Sequence, residues 1–141
     1  MRAALIAPAI FLFLELTNVI AMYVVPGSKQ ANAVGVFSAW EKSKADPELH
    51  AFVRYLVYWV AGTKVIFIAL LSTILVFGDA RLQAVALLAM VASIATFYWK
   101  LFPLIRKMDR AGQITPKHYS AMLGVMIAGF MLALGVSAWM L

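Results

Sequence analysis

Residues 55–77 read YLVYWVAGTKVIFIALLSTILVF, and this stretch carries a single charge, on Lys64. Residues 3–25 read AALIAPAIFLFLELTNVIAMYVV, again with a single charge, on Glu15. Crossing the roughly 30 Å hydrocarbon core of a bilayer takes about 20 residues of α-helix. Each stretch is therefore long and apolar enough to cross a membrane once.

Two further stretches have the same character. Residues 82–105 are uncharged except for Lys100, and residues 119–141 contain no charged side chain. None of the stretches alternates apolar and polar residues with the period of two that a membrane-spanning strand shows. The sequence thus predicts an all-α polytopic membrane protein, an antiparallel bundle of four transmembrane helices that forms one domain over residues 1–141.

The overall composition agrees with this prediction. Of 141 residues, 65% are hydrophobic and only 13% are charged, whereas soluble domains carry about 25% charged residues. The net charge of +6 would favour a nucleic-acid partner in a soluble protein. Here nearly all charges lie between the apolar stretches, so we expect a lipid bilayer and no nucleic acid. The absence of cysteine excludes disulfides and thiol nucleophiles.

Residues that start and stop helices agree with these spans. An Asp-Pro pair begins the second helix, a Gly-Asp pair separates it from the third, a glycine ends the third, and a Thr-Pro pair begins the fourth. In order, these are Asp46-Pro47, Gly78-Asp79, Gly112 and Thr115-Pro116. Measured between these residues, the second and third helices are each about 30 residues, or about 45 Å. Both should therefore project from the membrane on the side opposite their hairpin.

Basic residues are distributed unevenly between the two ends of the helices. Only Arg2 and Arg81 lie at one end. The other end holds Lys29, Lys42, Lys44, Arg54, Lys100, Arg106, Lys107, Arg110 and Lys117. Because cytoplasmic loops are rich in Lys and Arg, residues 26–54 and 106–118 are predicted to be cytoplasmic. Both chain ends are then extracytoplasmic in a plasma (inner) membrane, and anionic lipid is an expected partner of the cytoplasmic basic residues.

Residues 26–46 form the only sizeable connection, and they are predicted to be cytoplasmic. Apolar side chains within it precede several charged ones. These are Val34, Val36, Phe37 and Trp40, followed by Glu41, Lys42 and Lys44. The pattern is typical of a short interfacial helix or of a lid on the bundle. A loop whose apolar residues enter the headgroup layer explains it equally well.

Glu15 and Lys64 are the most unusual feature of the sequence. Each lies about ten residues from the basic end of its helix, about 15 Å deep and close to the bilayer midplane. An isolated charge there costs about 2.5–3.5 kcal/mol on insertion scales, and sequence-adjacent helices usually pack together. We therefore predict an ion pair, with Asn18 one turn from Glu15. It serves either as a proton, ion or substrate site or as a static pair that fixes helix register.

Ser93, Thr96 and Lys100 follow i, i+3, i+7 spacing on the third helix. This polar stripe, together with the charge pair, would line half of a hydrated path. Alternatively, the hydroxyls hydrogen-bond their own backbone and the lysine extends to the interface. Pro103 removes a backbone hydrogen bond and predicts a kink near Trp99.

Ser120, Gly124 and Ala128 are spaced by four on the fourth helix. Small residues at this spacing let helices approach closely. The contact lies either within one bundle or between two copies of the chain. The expected protein partner is therefore either a second copy or another membrane protein.

His50 and His118 lie in the first turns of the second and fourth helices. A metal or interfacial acid–base site there is a weak hypothesis, because their spacing matches no known ligand motif. Solvated interfacial histidines are the simpler interpretation. We predict no cofactor, with haem or metal at these histidines as the minor alternative.

Three functional classes are open. The first is a non-catalytic subunit or adaptor of a membrane assembly. The second is a homo-oligomeric, proton- or ion-coupled transporter or channel that uses Glu15 and Lys64. The third is an interfacial lipid-modifying enzyme that uses the histidines. The sequence contains no recognised catalytic motif, so the first class is favoured and an enzyme is not expected.

Overall fold

A computed structural model describes residues 3–30 and 33–141, and these residues form helices without any strand among them. The α-helices are α1 Ile6–Val24, α2 Ser38–Ser43, α3 Pro47–Phe77, α4 Ala80–Ala95, α5 Leu101–Arg110 and α6 Tyr119–Trp139. Short 3₁₀ turns cover Ala3–Leu5, Val34–Val36 and Thr96–Tyr98. The predicted all-helical class is confirmed. Arg2, one of the two basic residues at the less basic end, lies outside the described residues.

Four stretches of helix are long and apolar enough to cross a membrane. They are Ala3–Val24, Pro47–Phe77, Ala80–Arg110 and Tyr119–Trp139. Their outward faces carry large apolar side chains, of which Phe13 is 66% exposed and Val125 75% exposed. Apolar surface on this scale is typical of a protein that is surrounded by lipid. The structure thus supports a multi-pass membrane protein.

The predicted boundaries of α3 are confirmed. The Asp46 side chain accepts hydrogen bonds from the backbone N–H groups of Glu48 and Leu49, at 3.0 and 3.2 Å. At the hairpin, Asp79 accepts from the Leu82 N–H at 2.8 Å and caps α4. Both are local N-caps, which satisfy donors that the first helical turn leaves free.

Gly112 ends α5 as expected. Its φ is 68°, a left-handed conformation that glycine adopts without steric cost. The Gln113 N–H donates to the Met108 carbonyl and the Gly112 N–H to the Asp109 carbonyl, both at 3.0 Å. This pair of bonds is the Schellman motif, and it satisfies the last carbonyls of the helix.

The third stretch is broken rather than merely kinked. Helix α4 ends at Ala95, a 3₁₀ turn follows, and α5 begins only at Leu101. Pro103 explains the break, because it has no N–H to donate to the Trp99 carbonyl and its ring crowds that carbonyl. The Tyr98 hydroxyl donates to the Gly124 carbonyl of α6 at 2.6 Å and fixes the broken segment.

The fourth helix begins at the first residue of the predicted span 119–141, but the residues that cap it differ from the prediction. Helix α6 begins at Tyr119, beyond the Thr115-Pro116 pair. Its N-terminal cap comes from Asp109 on α5, which accepts from the Ser120 N–H at 2.9 Å and from the Ser120 hydroxyl at 2.6 Å. The local assignment was wrong because a side chain distant in sequence satisfies the free donors of this helix.

The described residues of the two longer connections, 26–30 with 33–46 and 111–118, fold together into one unit, which we call the cap. An antiparallel bridge pairs Phe37 with Ile114. Hydrogen bonds of 2.9 Å flank it on both sides, from the Ser38 N–H to the Gln113 carbonyl and from the Thr115 N–H to the Val36 carbonyl. The cap thus links the ends of α1 and α3 to those of α5 and α6.

Buried apolar side chains fasten the cap to the helices. Val36 packs with Ile105 of α5 and with Ile114. Trp40 is only 7% exposed, and its indole lies against Gly27, where an added Cβ would be 2.3 Å from the indole nitrogen. Residues 33–46 thus contain a short helix and pack on protein, as the interpretation of a short helix or lid expects.

The long helices contact one another in a connected set. Helix α1 packs against α3 and α6, α4 packs against α6 and α3, and α5 packs against α6. An apolar cluster at the less basic end joins Phe11, Leu71, Leu87, Leu134 and Ala138. A second cluster near the cap joins Met22, Val57 and Ala61.

The small-residue face of α6 is divided between two environments. Ser120 and Gly124 are buried against α5, whereas Ala128 is exposed. A Cβ added at Gly124 would be 2.7 Å from Cε2 of Phe102, while nothing lies within 4 Å of one added at Gly129. Within one chain, two of the three predicted residues therefore serve internal packing.

These surroundings predict opposite effects of alanine at the two glycines. Gly129→Ala should stabilise the fold by about 0.5–1 kcal/mol, because alanine favours helix over glycine. Gly124→Ala should destabilise it by roughly 1 kcal/mol, since crowding of Phe102 outweighs that gain. Thermal unfolding in detergent, followed by circular dichroism, measures both. Equal shifts in the same direction would contradict the close contact at Gly124.

Candidate functional site

Glu15 and Lys64 form the predicted ion pair. The Lys64 ammonium donates to Oε2 of Glu15 between α1 and α3. The two side chains are 14% and 16% exposed, respectively, whereas the neighbouring Leu16 is 45% exposed. The chain therefore turns its charges inward and its apolar side chains outward, which is the arrangement that a lipid environment requires.

Aromatic pairs between the same two helices lie on either side of the ion pair. The rings of Phe11 and Phe67 stack with centroids 6.3 Å apart on one side. Those of Tyr23 and Tyr58 stack at 5.9 Å on the other. From the phenylalanine pair to the tyrosine pair, the residue numbers rise on α1 and fall on α3. The helices are thus antiparallel in one fixed register.

Both ends of the ion pair are closed by apolar packing. The cluster around Phe11 and Leu71 lies towards the less basic end, and the cluster of Met22, Val57 and Ala61 lies towards the cap. Apolar side chains thus flank the pair on both sides along the α1–α3 contact. In a single copy, the geometry therefore favours a static pair over an open path.

The hydrogen bonding of the carboxylate is incomplete. Oε2 of Glu15 accepts from Lys64, but from the described residues Oε1 receives only the Asn18 amide, at 3.5 Å. That distance is at the outer limit of a hydrogen bond. An ionised carboxylate offers about four acceptor positions, so Oε1 retains capacity for a proton or another donor.

The polar stripe on the third span uses its hydroxyls locally. The Ser93 hydroxyl donates to the Ala89 carbonyl at 2.8 Å, and the Thr96 hydroxyl donates to the Ser93 carbonyl at 2.6 Å. The Lys100 ammonium lies 5.7 Å from the centroid of the Trp99 ring. All three stripe residues are exposed. Within residues 3–30 and 33–141, none of them hydrogen-bonds to the ion pair.

The two histidines have separate neighbours. Nδ1 of His50 lies 2.8 Å from the Ser43 hydroxyl, which also donates to the Trp40 carbonyl at 2.7 Å. The Ser43 hydroxyl thus connects the ring of His50 to the backbone of α2. His118 is exposed, and its backbone N–H donates to Asp109 at 3.2 Å. Over the described residues, no group of three or more His, Asp or Glu is placed to hold a metal.

Gln83 is a polar residue of the third span for which the sequence predicted no role. Gln83 is buried, and its amide N–H₂ donates to the carbonyls of Leu75 and Gly78 at 2.9 and 3.0 Å. It therefore fastens the turn between α3 and α4. Its Oε1 is buried without a hydrogen-bond partner among the described residues. A glutamine at the start of an otherwise apolar span was the signal for this role.

No family model, curated protein or solved structure matches this chain. The contacts of the described side chains are therefore the basis for the functional proposal.

Removing one member of the ion pair should be harmful, and removing both should not. Glu15→Leu should lower stability by on the order of 3 kcal/mol, because it leaves an uncompensated buried ammonium. Glu15→Leu with Lys64→Met should recover most of that loss, since apolar replacement of a whole buried pair is often neutral. Unfolding in mixed detergent micelles and the yield of monodisperse protein measure both effects.

A matched control is the exposed Lys44–Glu41 pair, whose side chains are 50% and 67% exposed. Glu41→Leu should change stability by less than about 1 kcal/mol. A Glu15→Leu variant that is as stable as the Glu41→Leu variant would show that the intramembrane pair contributes little.

Proposed function

We propose that the chain crosses a plasma (inner) membrane four times as an antiparallel bundle and acts as a non-catalytic subunit or adaptor of a membrane assembly. Residues 26–54 and 106–118 are cytoplasmic, and both chain ends lie on the opposite face. The uneven distribution of Lys and Arg supports this orientation. It places the cap in the cytoplasm and the Glu15–Lys64 pair near the bilayer midplane.

The cap is the observation that carries the adaptor proposal. Its two connections share a bridge between Phe37 and Ile114 and a buried cluster around Val36 and Ile105. An extramembrane surface that is already ordered loses little conformational entropy when a partner binds. Connections that served only to join the helices in water would not need to pair with each other through a bridge and a shared buried cluster.

The charge of the cap indicates the kind of partner. Lys29, Lys42 and Lys117 are exposed, and Lys44, which directly follows α2, pairs with Glu41 of that helix. A predominantly basic surface favours an acidic protein surface, and complementary charge speeds association and selects partners. The closed ion pair supports the same function, because it leaves no unpaired charge within the α1–α3 contact to bind a substrate.

Charge reversal on the cap tests the adaptor proposal. After mild extraction, wild-type protein should purify with a second protein in a fixed ratio, and Lys42→Glu should reduce that ratio severalfold. Arg81→Glu makes the same charge change at the other end of the helices and should leave the ratio unchanged. Mass measurement of native nanodisc particles gives the stoichiometry. A particle without any partner in every mild extraction would contradict the proposal.

A second candidate function is a proton- or ion-coupled transporter. Oε1 of Glu15, which has only the long contact with Asn18, favours this candidate because it can accept a proton close to the midplane. Four helices enclose little space, so transport requires a homo-oligomer. The interfacial enzyme remains a prediction of the sequence alone.

Flux measurements in liposomes distinguish transport from the adaptor role. The transporter proposal expects Glu15→Gln to abolish proton-coupled flux, because the amide has no titratable proton, while the fold is retained. Glu41→Gln, which removes a carboxylate from the exposed part of the cap, should leave the flux intact. Wild-type protein that shows no flux under any imposed gradient would eliminate this candidate.

A further inference from the structure

Helix α5 has two faces of opposite character. Its inward face carries Ile105, which is buried, and Asp109, which caps α6. At about 100° per residue, Arg106, Lys107 and Arg110 project together within an arc of roughly 100° on the other side. The three cations therefore share one outward face.

These cations line a shallow groove of about 320 Å³. Its lining residues are Phe102, Pro103, Arg106, Lys107 and Arg110. The groove is thus basic at its outer end and apolar at the end nearer the bundle. This polarity matches a molecule with an anionic head and an apolar body.

The groove cations have no carboxylate partner within the described residues, where the salt bridges are Lys44–Glu41 and Lys64–Glu15. The acidic residue of α5, Asp109, is engaged by α6. Capping does not need the cations either, because the Schellman bonds at Gly112 satisfy the last carbonyls of α5. Three uncompensated positive charges therefore remain free to bind an anion.

The depth of the groove in the proposed orientation identifies the anion. The apolar span ends near residue 105, so residues 106–110 extend about 1.5–7.5 Å beyond it at 1.5 Å per residue. The headgroup layer on each side of the hydrocarbon core is about 5–8 Å thick. Arg106, Lys107 and Arg110 therefore lie at the depth of lipid phosphates, with Phe102 and Pro103 nearer to the acyl chains.

We propose that this groove binds the phosphate of an anionic phospholipid of the cytoplasmic leaflet. The guanidinium groups of Arg106 and Arg110 bind the phosphate oxygens, for which their fork geometry is suited. Lys107 adds a third charge, and Phe102 and Pro103 contact the upper part of an acyl chain. The site rests on the proposed membrane orientation and not on the adaptor role.

Native mass spectrometry of the whole protein tests this site. Detergent-solubilised protein is titrated with phosphatidylglycerol, or with phosphatidylcholine of the same acyl chains. Wild-type protein should prefer phosphatidylglycerol by about tenfold, and Arg106→Gln with Arg110→Gln should abolish the preference. Arg54→Gln with Arg81→Gln removes two charges outside the groove and outside the cap and should retain it.

A second variant covers the case in which the glutamine variant fails to fold. Arg106→Lys with Arg110→Lys keeps the charge but loses the bidentate geometry, and it should bind phosphatidylglycerol severalfold more weakly than wild type. An equal loss in the Arg54 and Arg81 control would overturn the site, as would wild-type protein without lipid preference. Displacement of the lipid by excess inorganic phosphate would assign the groove to free phosphate instead. Lipid preference without any co-purified protein would leave this site standing while the adaptor role fails.

Discussion

Neutralisation of charge inside an apolar medium is the constraint on which the rest of this structure depends. Glu15 and Lys64 each occur in a stretch that is otherwise free of charge, and each would be expensive to leave alone there. Their contact aligns α1 with α3 at one position along the two helices. The stacked rings of Phe11 and Phe67 then fit the same register, so electrostatic and apolar contacts agree.

The break at Pro103 has consequences beyond the third span. Because α5 begins afresh at Leu101, it is positioned separately from α4 and packs against α6 through Phe102 and Gly124. That packing turns Asp109 towards the first turn of α6 and leaves the basic face of α5 outward. The break thus lets α5, which carries Arg106, Lys107 and Arg110, take a position that is separate from that of α4.

Two parts of the molecule offer different functions. The ion pair is closed by apolar clusters on both sides, which suits a static role and requires a homo-oligomer if it is to transport anything. The cap is ordered, basic and joined across the Phe37–Ile114 bridge, which suits binding to a partner. The lipid site that we propose in the groove on α5 lies beside that surface. Together these features support the adaptor role that we propose.

The sequence by itself determined the four apolar helices, the local caps at Asp46 and Asp79, and the pairing of two charges at matching depth. Each of these depends on spacing along the chain or on a cost that lipid imposes wherever the helices lie. Only the tertiary structure decided that Asp109 accepts the free N–H groups at the start of α6 and that the two longer connections, which form the cap, fold onto the helix ends. It also decided that Ser93 and Thr96 stay apart from the ion pair. These contacts depend on where the broken third span directs α5 and on how two distant connections meet, which no local pattern specifies.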